Sequence, residues 1–254
     1  MENVLITGAT EGIGLAFTRL FAAKGYRLIL VARNEKRLEE IKAELSPVPV
    51  EIYSCDLSEP ENVRQMQEDF RERKIRTDIL INNAGFGIAA PYLETSWEKL
   101  EQMFRLNMLA LAFLTRIFAS DMKSRGKGYI LNVASLAAFQ PGPYMAGYCA
   151  SKAFVLSLSQ AVNYEMKNTG VSVTALCPGV TDTKFHEVAH SQDTGMVRYL
   201  SHAEPEKVAE FGYTALMSRK PIAVYGRSNR FLVFSLRLCS RKVWTALAAA
   251  FLKK

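Results

Sequence analysis

The sequence predicts a single α/β domain, a doubly wound parallel sheet with helices on both faces. Short apolar segments rich in β-branched residues alternate along the chain with longer segments of helical period. Several short segments lack a polar face, which is typical of strands buried on both sides. A chain of 254 residues suits one large domain of this class.

The predicted elements follow one another in strand-helix-strand order. The strands are Val4–Thr7, Arg27–Val31, Val50–Ser54, Ile79–Asn82, Tyr129–Val133 and Val171–Leu176. The helices are Leu15–Lys24, Glu35–Leu45, Glu61–Lys74, Trp97–Lys123 and Lys152–Thr169. Gly25 and Gly170 are expected helix stops, and Pro141-Gly142-Pro143 predicts a turn.

A glycine-rich turn, Thr7-Gly8-Ala9-Thr10-Glu11-Gly12-Ile13-Gly14, follows the first strand. Glycines at this place let the backbone approach a pyrophosphate, whose charge the following helix N-terminus favours. The spacing G-x-x-x-G-x-G differs from the general G-x-G-x-x-G fingerprint, and glycine turns also have purely structural uses. From its context we expect the turn to bind a nucleotide cofactor.

The end of the second strand indicates which nucleotide binds. An acidic residue here usually holds a ribose 2′-hydroxyl, whereas a 2′-phosphate requires positive charge. The strand ends in Val31-Ala32-Arg33-Asn34, and Arg33 is able to make paired contacts with a phosphate. NADP(H) is therefore favoured over NAD(H). Glu11 and Glu35 nearby weaken this interpretation, and a solvated arginine at the start of a helix is the alternative.

Tyr148 and Lys152 are four residues apart, which places them on one face of a helix. A nearby ammonium group lowers the pKa of a phenol and makes it a usable general acid or base. Such pairs are common by chance. However, Ser135 and Asn82-Asn83-Ala84-Gly85 end two predicted strands, at the carboxyl edge where open α/β sheets bind ligands. The combination predicts an active site at that edge.

Taken together, these motifs resemble the classical short-chain dehydrogenase/reductase family over about residues 3–183. The matching motifs are Thr7-Gly8-x-x-x-Gly12-Ile13-Gly14, Asp56-Leu57, Asn82-Asn83-Ala84-Gly85, Asn107, Ser135, Tyr148-x-x-x-Lys152 and Pro178-Gly179. Their occurrence together in this order is very specific. The resemblance implies a Rossmann-like fold and an NADP(H)-dependent oxidoreductase that interconverts a carbonyl and a secondary alcohol.

The resemblance also implies catalytic roles. Tyr148 is similar to the family's acid/base, and Ser135 to the hydroxyl that orients the substrate. Lys152 resembles the residue that binds the nicotinamide ribose and lowers the tyrosine pKa. Asn107 resembles the asparagine that holds a water molecule in the proton relay, although it alternatively bonds neighbouring backbone.

The motifs and the resemblance together give one predicted set of cofactor-binding residues, and no metal site is predicted. The set is Gly8, Thr10, Gly12, Ile13, Gly14, Arg33, Asp56, Leu57, Asn83, Ala84, Gly85, Tyr148, Lys152, Pro178, Gly179, Thr181 and Thr183. Asp56 resembles the residue that bonds the adenine amino group, and Asn83 and Gly85 resemble the strand end beside the adenine ribose. The structural alternatives are a helix cap for Asp56 and a turn residue for Asn83.

The C-terminal third is expected to determine the substrate. Residues 181–204 lack a clear period and hold His186, His190 and His202, so they form either a substrate lid or an ordinary surface loop. Four aromatic residues line an apolar pocket or belong to the core: Phe139, Tyr144, Phe185 and Tyr199. The substrate class expected from the resemblance is a hydrophobic ketone, a fatty-acyl carbonyl or a steroid.

Positive charge is concentrated at the C-terminus. Residues 219–254 hold nine Lys/Arg and no acid, which leaves 23 bases against 25 acids in residues 1–218. With no recognition element for DNA or RNA, we expect no nucleic-acid binding. We divide the chain into a reductase domain, 1–230, and a basic amphipathic tail, 231–254. The apolar segment Val243–Leu252 is too short to cross a bilayer.

We expect the tail to contact a second subunit, in a homodimer or homotetramer, or the core; adsorption to an anionic membrane surface is the alternative. The four cysteines are far apart in sequence, and Val4-Leu5-Ile6 is too short for a signal peptide. Both observations favour the cytoplasm. Two other functions remain open: an NADP-sensing protein without turnover, and an epimerase or dehydratase of the same superfamily.

Overall fold

The computed structural model describes residues 1–195, 197, 202–236, 238 and 240–253. Within these ranges seven parallel strands form one sheet, in the order β3-β2-β1-β4-β5-β6-β7. The strands are β1 Asn3–Thr7, β2 Arg27–Ala32, β3 Val50–Ser54, β4 Ile79–Asn82, β5 Gly128–Val133, β6 Val171–Cys177 and β7 Ile222–Val224. The predicted parallel sheet is therefore confirmed.

The helices connect successive strands and extend beyond the last one. They are α1 Gly12–Ala23, α2 Glu35–Glu44, α3 Pro60–Glu72, α4 Trp97–Phe104, α5 Leu111–Ser124, α6 Ala146–Glu165, α7 Phe185–Val188, α8 Pro205–Met217, α9 Arg227–Ser235 and α10 Arg241–Leu252. A π turn, Arg105–Ala110, joins α4 to α5.

Helices cover both faces of the sheet, as the sequence predicts. Val4 and Ile6 of β1 face the core cluster that holds Phe17 and Phe21 of α1. The intervening Leu5 faces a second cluster, to which α3 and α5 contribute. Alternate side chains of a strand point to opposite faces, so the unbroken apolar run is explained by burial on both sides.

The chain order places a crevice at the carboxyl ends of β1 and β4. From β1 the chain moves outward to β2 and β3 on one side, and then returns to β4 on the other side of β1. Where the direction of winding reverses, the loops after the two neighbouring strands separate and leave room for a ligand. The glycine turn follows β1, and Asn83 to Gly85 follow β4.

Several predicted elements need correction. Strand β7 and helix α8 were not predicted, because β7 has three residues and α8 begins directly after the aperiodic segment. The predicted helix Trp97–Lys123 contains the π turn, and the helix predicted from Lys152 begins at Ala146. Gly25, with φ +77°, follows α1 as expected, but Gly170 lies beyond the end of α6 and leads into β6.

The tail forms two helices, α9 and α10, rather than one. Ala248 and Leu252 of α10 are buried in the cluster that contains Tyr148, so the expected contact with the core is confirmed on this face. Helix α9 runs across residues 230 and 231, and the division into two parts stays a prediction. Tyr199, Arg237 and Cys239 lie outside the described residues.

Among the residues that the structure describes, one stretch, Trp97–Ser124, is long and apolar enough to cross a membrane by length and composition. Of its most apolar window, 44% is buried inside the protein, where α5 packs against the sheet. The stretch is therefore accounted for as a core helix of this fold. Cys55, Cys149 and Cys177 are buried free thiols.

Candidate active site

The glycine turn leaves no room for side chains. Gly8 and Gly12 have φ of +64° and +52°, where glycine is favoured. A Cβ on Gly14 would lie 2.0 Å from the carbonyl oxygen of Gly8. Glu11, at the N-cap of α1, makes no side-chain capping bond. The first N–H groups of α1 are thus available to an anion, as the sequence predicts. Thr10 and Ile13 lie in the same turn, with Ile13 packed partly on the core.

Hydrogen bonds fix this turn to the end of β4. The Thr7 hydroxyl accepts from the backbone N–H of both Asn83 and Ala84, at 3.0 Å each. The Asn83 side-chain amide donates to the carbonyls of Thr7 and Gly8, at 3.1 Å each. Asn83 is thus more than a turn residue, because it holds together the two loops that flank the crevice. Thr7 belongs to the glycine motif, but the spacing of that motif does not predict that the Thr7 hydroxyl bonds to the end of β4.

Arg33 and Asp56 line a cavity of about 280 Å³ after β2 and β3. The Arg33 guanidinium is 70% exposed and lies 3.7 Å from the Asp56 carboxylate. Burial acts to raise the pKa of Asp56, but hydrogen bonds from Ser58 and the charge of Arg33 outweigh it and lower the pKa. Glu59, not Asp56, is the N-cap of α3, and Leu57 is buried. The cavity therefore offers one cation and one carboxylate to a ligand.

Tyr148, Lys152 and Ser135 come together at the carboxyl edge of β5. Tyr148 and Lys152 are 8% and 5% exposed. The Lys152 ammonium donates to the Val133 carbonyl at 2.8 Å and lies 5.8 Å from the centre of the Tyr148 ring. The Ser135 hydroxyl accepts from the N–H of Ala137 at 3.1 Å and interacts with Tyr148. The predicted trio is thus assembled in one place.

The acidity of the trio differs from the expectation. Burial raises the pKa of Tyr148, although the hydrogen bond with Ser135 acts to lower it. Burial also lowers the pKa of Lys152 to about 8. The predicted depression of the tyrosine pKa is therefore reversed in this structure, because both groups are desolvated and Lys152 bonds a carbonyl rather than the phenol. Burial thus favours the neutral form of the Tyr148 phenol.

Asn107 is fully buried in the π turn. Its side chain accepts from the N–H of Phe86 at 3.1 Å and donates to the Phe86 carbonyl at 2.9 Å and to Ser151 at 3.1 Å. A Cβ on Gly85 would lie 2.9 Å from the Asn107 side-chain oxygen and 3.5 Å from the Lys152 nitrogen. Asn107 thus holds the chain after β4 close to Lys152, while its role in a water relay stays a prediction.

The loop after β6 meets the glycine turn. The Thr183 methyl lies 2.8 Å from where a Cβ of Gly12 would be, and Lys184 pairs with Glu11 at 3.0 Å. Pro178 accepts from the N–H of Leu136 at 2.9 Å. The predicted loop residues Pro178, Gly179, Thr181 and Thr183 are therefore continuous with the rest of the site.

Of the four aromatic residues considered for the pocket, two lie near Tyr148. The Phe185 ring centre is 5.2 Å from that of Tyr148, and Tyr144 packs on the same cluster. Phe139 packs on a different cluster, and Tyr199 is not among the described residues. Of the four, Phe185 and Tyr144 are thus the ones that pack on the cluster of Tyr148.

His202 ties together the two ends of the segment 181–204. One ring nitrogen lies 2.6 Å from the Asp182 carboxylate and the other 2.6 Å from the Val197 carbonyl. The carboxylate and the carbonyl can only accept hydrogen bonds, so the doubly protonated imidazole ring is the form that bonds to both. The bond to Val197 and then that to Asp182 raise the pKa of His202, whereas burial lowers the pKa of the neighbouring His186.

We expect the two ends of residues 181–204 to lose hydrogen-exchange protection as pH rises. A His with a raised folded-state pKa gives its full stabilisation below the unfolded value of about 6.5, and loses it as pH rises through the folded pKa. Hydrogen-exchange protection of the Asp182 and Ala203 amides should therefore fall at higher pH. In His202→Asn the protection should be low at all pH values. His190→Asn, in the same segment, is the control and should keep the pH dependence of the natural chain. If His202→Asn also kept that pH dependence, the assignment to His202 would be wrong.

Comparisons with known proteins show which family the chain resembles. Residues 2–194 match the family model described as short chain dehydrogenase. The chain is 32% identical over 220 residues to dehydrogenase/reductase SDR family member 11 of Mus musculus, covering 81% of this chain and 85% of that protein. It is 30% identical over 223 residues to an uncharacterized oxidoreductase of Staphylococcus saprophyticus, with 87% and 93% covered.

Two solved structures have the same fold over most of the chain. A short-chain dehydrogenase from Sphingobium yanoikuyae in complex with NADPH has a TM-score of 0.84 and 32% identity, covering 94% of each chain. The bulky-bulky ketone specific alcohol dehydrogenase from Comamonas testosteroni has a TM-score of 0.79 and 25% identity, covering 94% of this chain and 92% of that one.

Proposed function

The chain belongs to the short-chain dehydrogenase family, and from this premise we propose that it is a cytoplasmic NADP(H)-dependent oxidoreductase. Its reaction is the interconversion of a carbonyl and a secondary alcohol on a small hydrophobic molecule. The observation that carries the proposal is the buried Tyr148 phenol beside Ser135 and Lys152. NADPH bound at this edge of the sheet would supply the hydride.

The residues at the crevice fit a dinucleotide. A diphosphate needs close backbone approach and free N–H donors, and the glycine turn with the uncapped start of α1 offers both. We assign the 2′-phosphate to Arg33 and the adenine amino group to Asp56. Lys152, anchored to the Val133 carbonyl, is assigned to the nicotinamide ribose.

Tyr148 acts as the proton donor to the carbonyl oxygen of the substrate. The Ser135 hydroxyl donates a second hydrogen bond to the same oxygen and so fixes its position. Because burial keeps the phenol protonated, the arrangement favours carbonyl reduction at neutral pH. Alcohol oxidation needs the phenolate, and its rate is expected to rise with alkaline pH.

The surroundings of Tyr148 support a hydrophobic substrate. The cluster around it is formed by buried apolar side chains: Ala89, Leu100, Met103, Met145, Cys149, Ala248 and Leu252. Apolar surroundings favour apolar ligands, which a few polar groups orient, and we assign that orienting role to Ser135 and Tyr148. The Comamonas testosteroni neighbour, specific for bulky-bulky ketones, has the same fold.

Replacing Arg33 with Ala tests the preference for NADP(H). We expect KM for NADPH to rise about 10-fold or more, because a charge-assisted contact to the phosphate is lost. KM for NADH should change little. The matched control is Arg37→Ala, which removes the same charge one turn further on, where Arg37 pairs with Glu40 and Glu44. Equal increases for both cofactors in Arg33→Ala would show that Arg33 does not read the phosphate.

We also propose that the chain assembles as a homodimer or homotetramer. Leu109 of the π turn and Phe154 of α6 are 57% and 36% exposed, on two helical segments that pack together. We assign these two side chains to the contact between subunits, where burial of their apolar surface would stabilise the assembly. Sedimentation equilibrium checks the mass.

A further inference from the structure

The tail exposes apolar side chains. Six large ones in its described part are between 45% and 73% exposed: Phe231, Phe234, Leu238, Val243, Leu247 and Phe251. Val243, Leu247 and Phe251 recur every four residues, so they form one stripe along α10. We call these six residues the outer tail surface. Scattered apolar residues are ordinary, but a continuous stripe indicates a partner.

The opposite side of α10 contacts the active-site cluster. Ala248 and Leu252 are buried with Tyr148 and Cys149, and the Leu252 methyl lies 3.2 Å from where a Cβ of Gly142 would be. Helix α10 therefore has its exposed stripe of Val243, Leu247 and Phe251 on one side and the buried cluster around Tyr148 on the other. A partner bound to the stripe is separated from that cluster by one helix.

The charges around the outer tail surface favour an anionic partner. Arg227, Arg241, Lys242 and Lys253 are exposed, and residues 219–254 hold no acid. Arg241 and Lys242 begin α10, where the helix dipole disfavours positive charge, and neither makes an ion pair within the described residues. Helix stability thus does not explain their position. A symmetric contact of two such tails would bring like charges together.

We propose that the outer tail surface binds the anionic surface of a lipid bilayer, and that a bilayer-dissolved carbonyl compound enters the site past α10. The apolar stripe inserts at the level of the acyl chains while the bases contact the headgroups. The second part rests on the proposed oxidoreductase function. The first part does not, because binding requires no turnover.

Sedimentation of the full chain with vesicles tests the binding. We expect the protein to sediment with phosphatidylcholine vesicles that contain phosphatidylserine, and weakly with phosphatidylcholine alone. Arg241→Glu with Lys242→Glu should lower the partition coefficient about 25-fold or more, at about five-fold per neutralised base. Val243→Ser, Leu247→Ser and Phe251→Ser combined should lower it at least about 10-fold. These side chains are exposed, and circular dichroism checks that the variants remain folded.

The matched control reverses two bases elsewhere. Lys123→Glu with Lys167→Glu makes the same charge change at the opposite edge of the sheet, where both residues are exposed, and should leave sedimentation unchanged. Equal loss in this control would reduce the effect to net charge and overturn the proposal. A second result would also overturn it: the natural chain does not bind vesicles and forms a dimer, and the triple serine variant is a monomer. The partner of the outer tail surface would then be a second copy of this chain. Vesicle binding without NADPH oxidation would refute the proposed enzyme and leave the binding surface intact.

Discussion

Replacing Tyr148 with Phe is expected to lower kcat for carbonyl reduction by about 10²- to 10⁴-fold, the contribution typical of a positioned proton donor. The substitution removes the hydroxyl and keeps the ring, which packs against Phe185 and the buried cluster. The fold and the affinity for NADPH should therefore change little. Steady-state NADPH oxidation with a panel of ketones, aldehydes and acyl substrates measures kcat, and NADPH fluorescence measures binding.

Tyr144→Phe is the matched control, because Tyr144 packs on the same cluster and loses the same hydroxyl. It should retain nearly full activity. If Tyr148→Phe were as active as the natural chain, the proton-transfer mechanism would be wrong. If both the natural chain and Tyr148→Phe bound NADPH, but neither oxidised it with any substrate of the panel, the protein would instead be a cofactor sensor.

The strands were predictable because burial on both faces leaves a strong apolar signal. All six predicted strands agree with the structure to within one residue at each end. Strand β7 carries no such signal, since Ile222 and Val224 at its ends are only partly buried. The tail pattern was amphipathic throughout, and sequence alone did not show that it divides at Ser240, the N-cap of α10.

The site was predictable in composition and less so in its physics. The motifs identified Tyr148 and Lys152, and the structure buries both at the carboxyl edge of β5. Their pKa values depend on how deeply each group is buried, which spacing does not encode, and so the predicted direction for Tyr148 was reversed. The bonds from Asn83 to the glycine turn depend on β1 and β4 being neighbours, which chain order alone leaves open.

The glycine turn gives the largest expected effect on stability. Gly14→Ala should lower the free energy of unfolding by about 3 kcal/mol, because overpacking against rigid backbone is costly. The added Cβ would lie 2.0 Å from the Gly8 carbonyl oxygen and 2.5 Å from the Asn83 side-chain nitrogen. Any relief of this overlap moves the turn away from β4, so the part of the variant that folds should also bind NADPH more weakly. Urea unfolding and NADPH fluorescence measure the two effects.

Gly25→Ala is the control for Gly14→Ala. It measures the general cost of replacing a glycine, without the contact that the added Cβ makes at position 14. Gly25 has φ +77° and nothing within 4 Å of its added Cβ, so it pays only the left-handed strain of about 1–2 kcal/mol. No left-handed φ is found at Gly14, and its cost is therefore contact alone. A similar loss in the two variants would mean that the turn relaxes freely, and the tight fit assigned to the diphosphate site would then be incorrect.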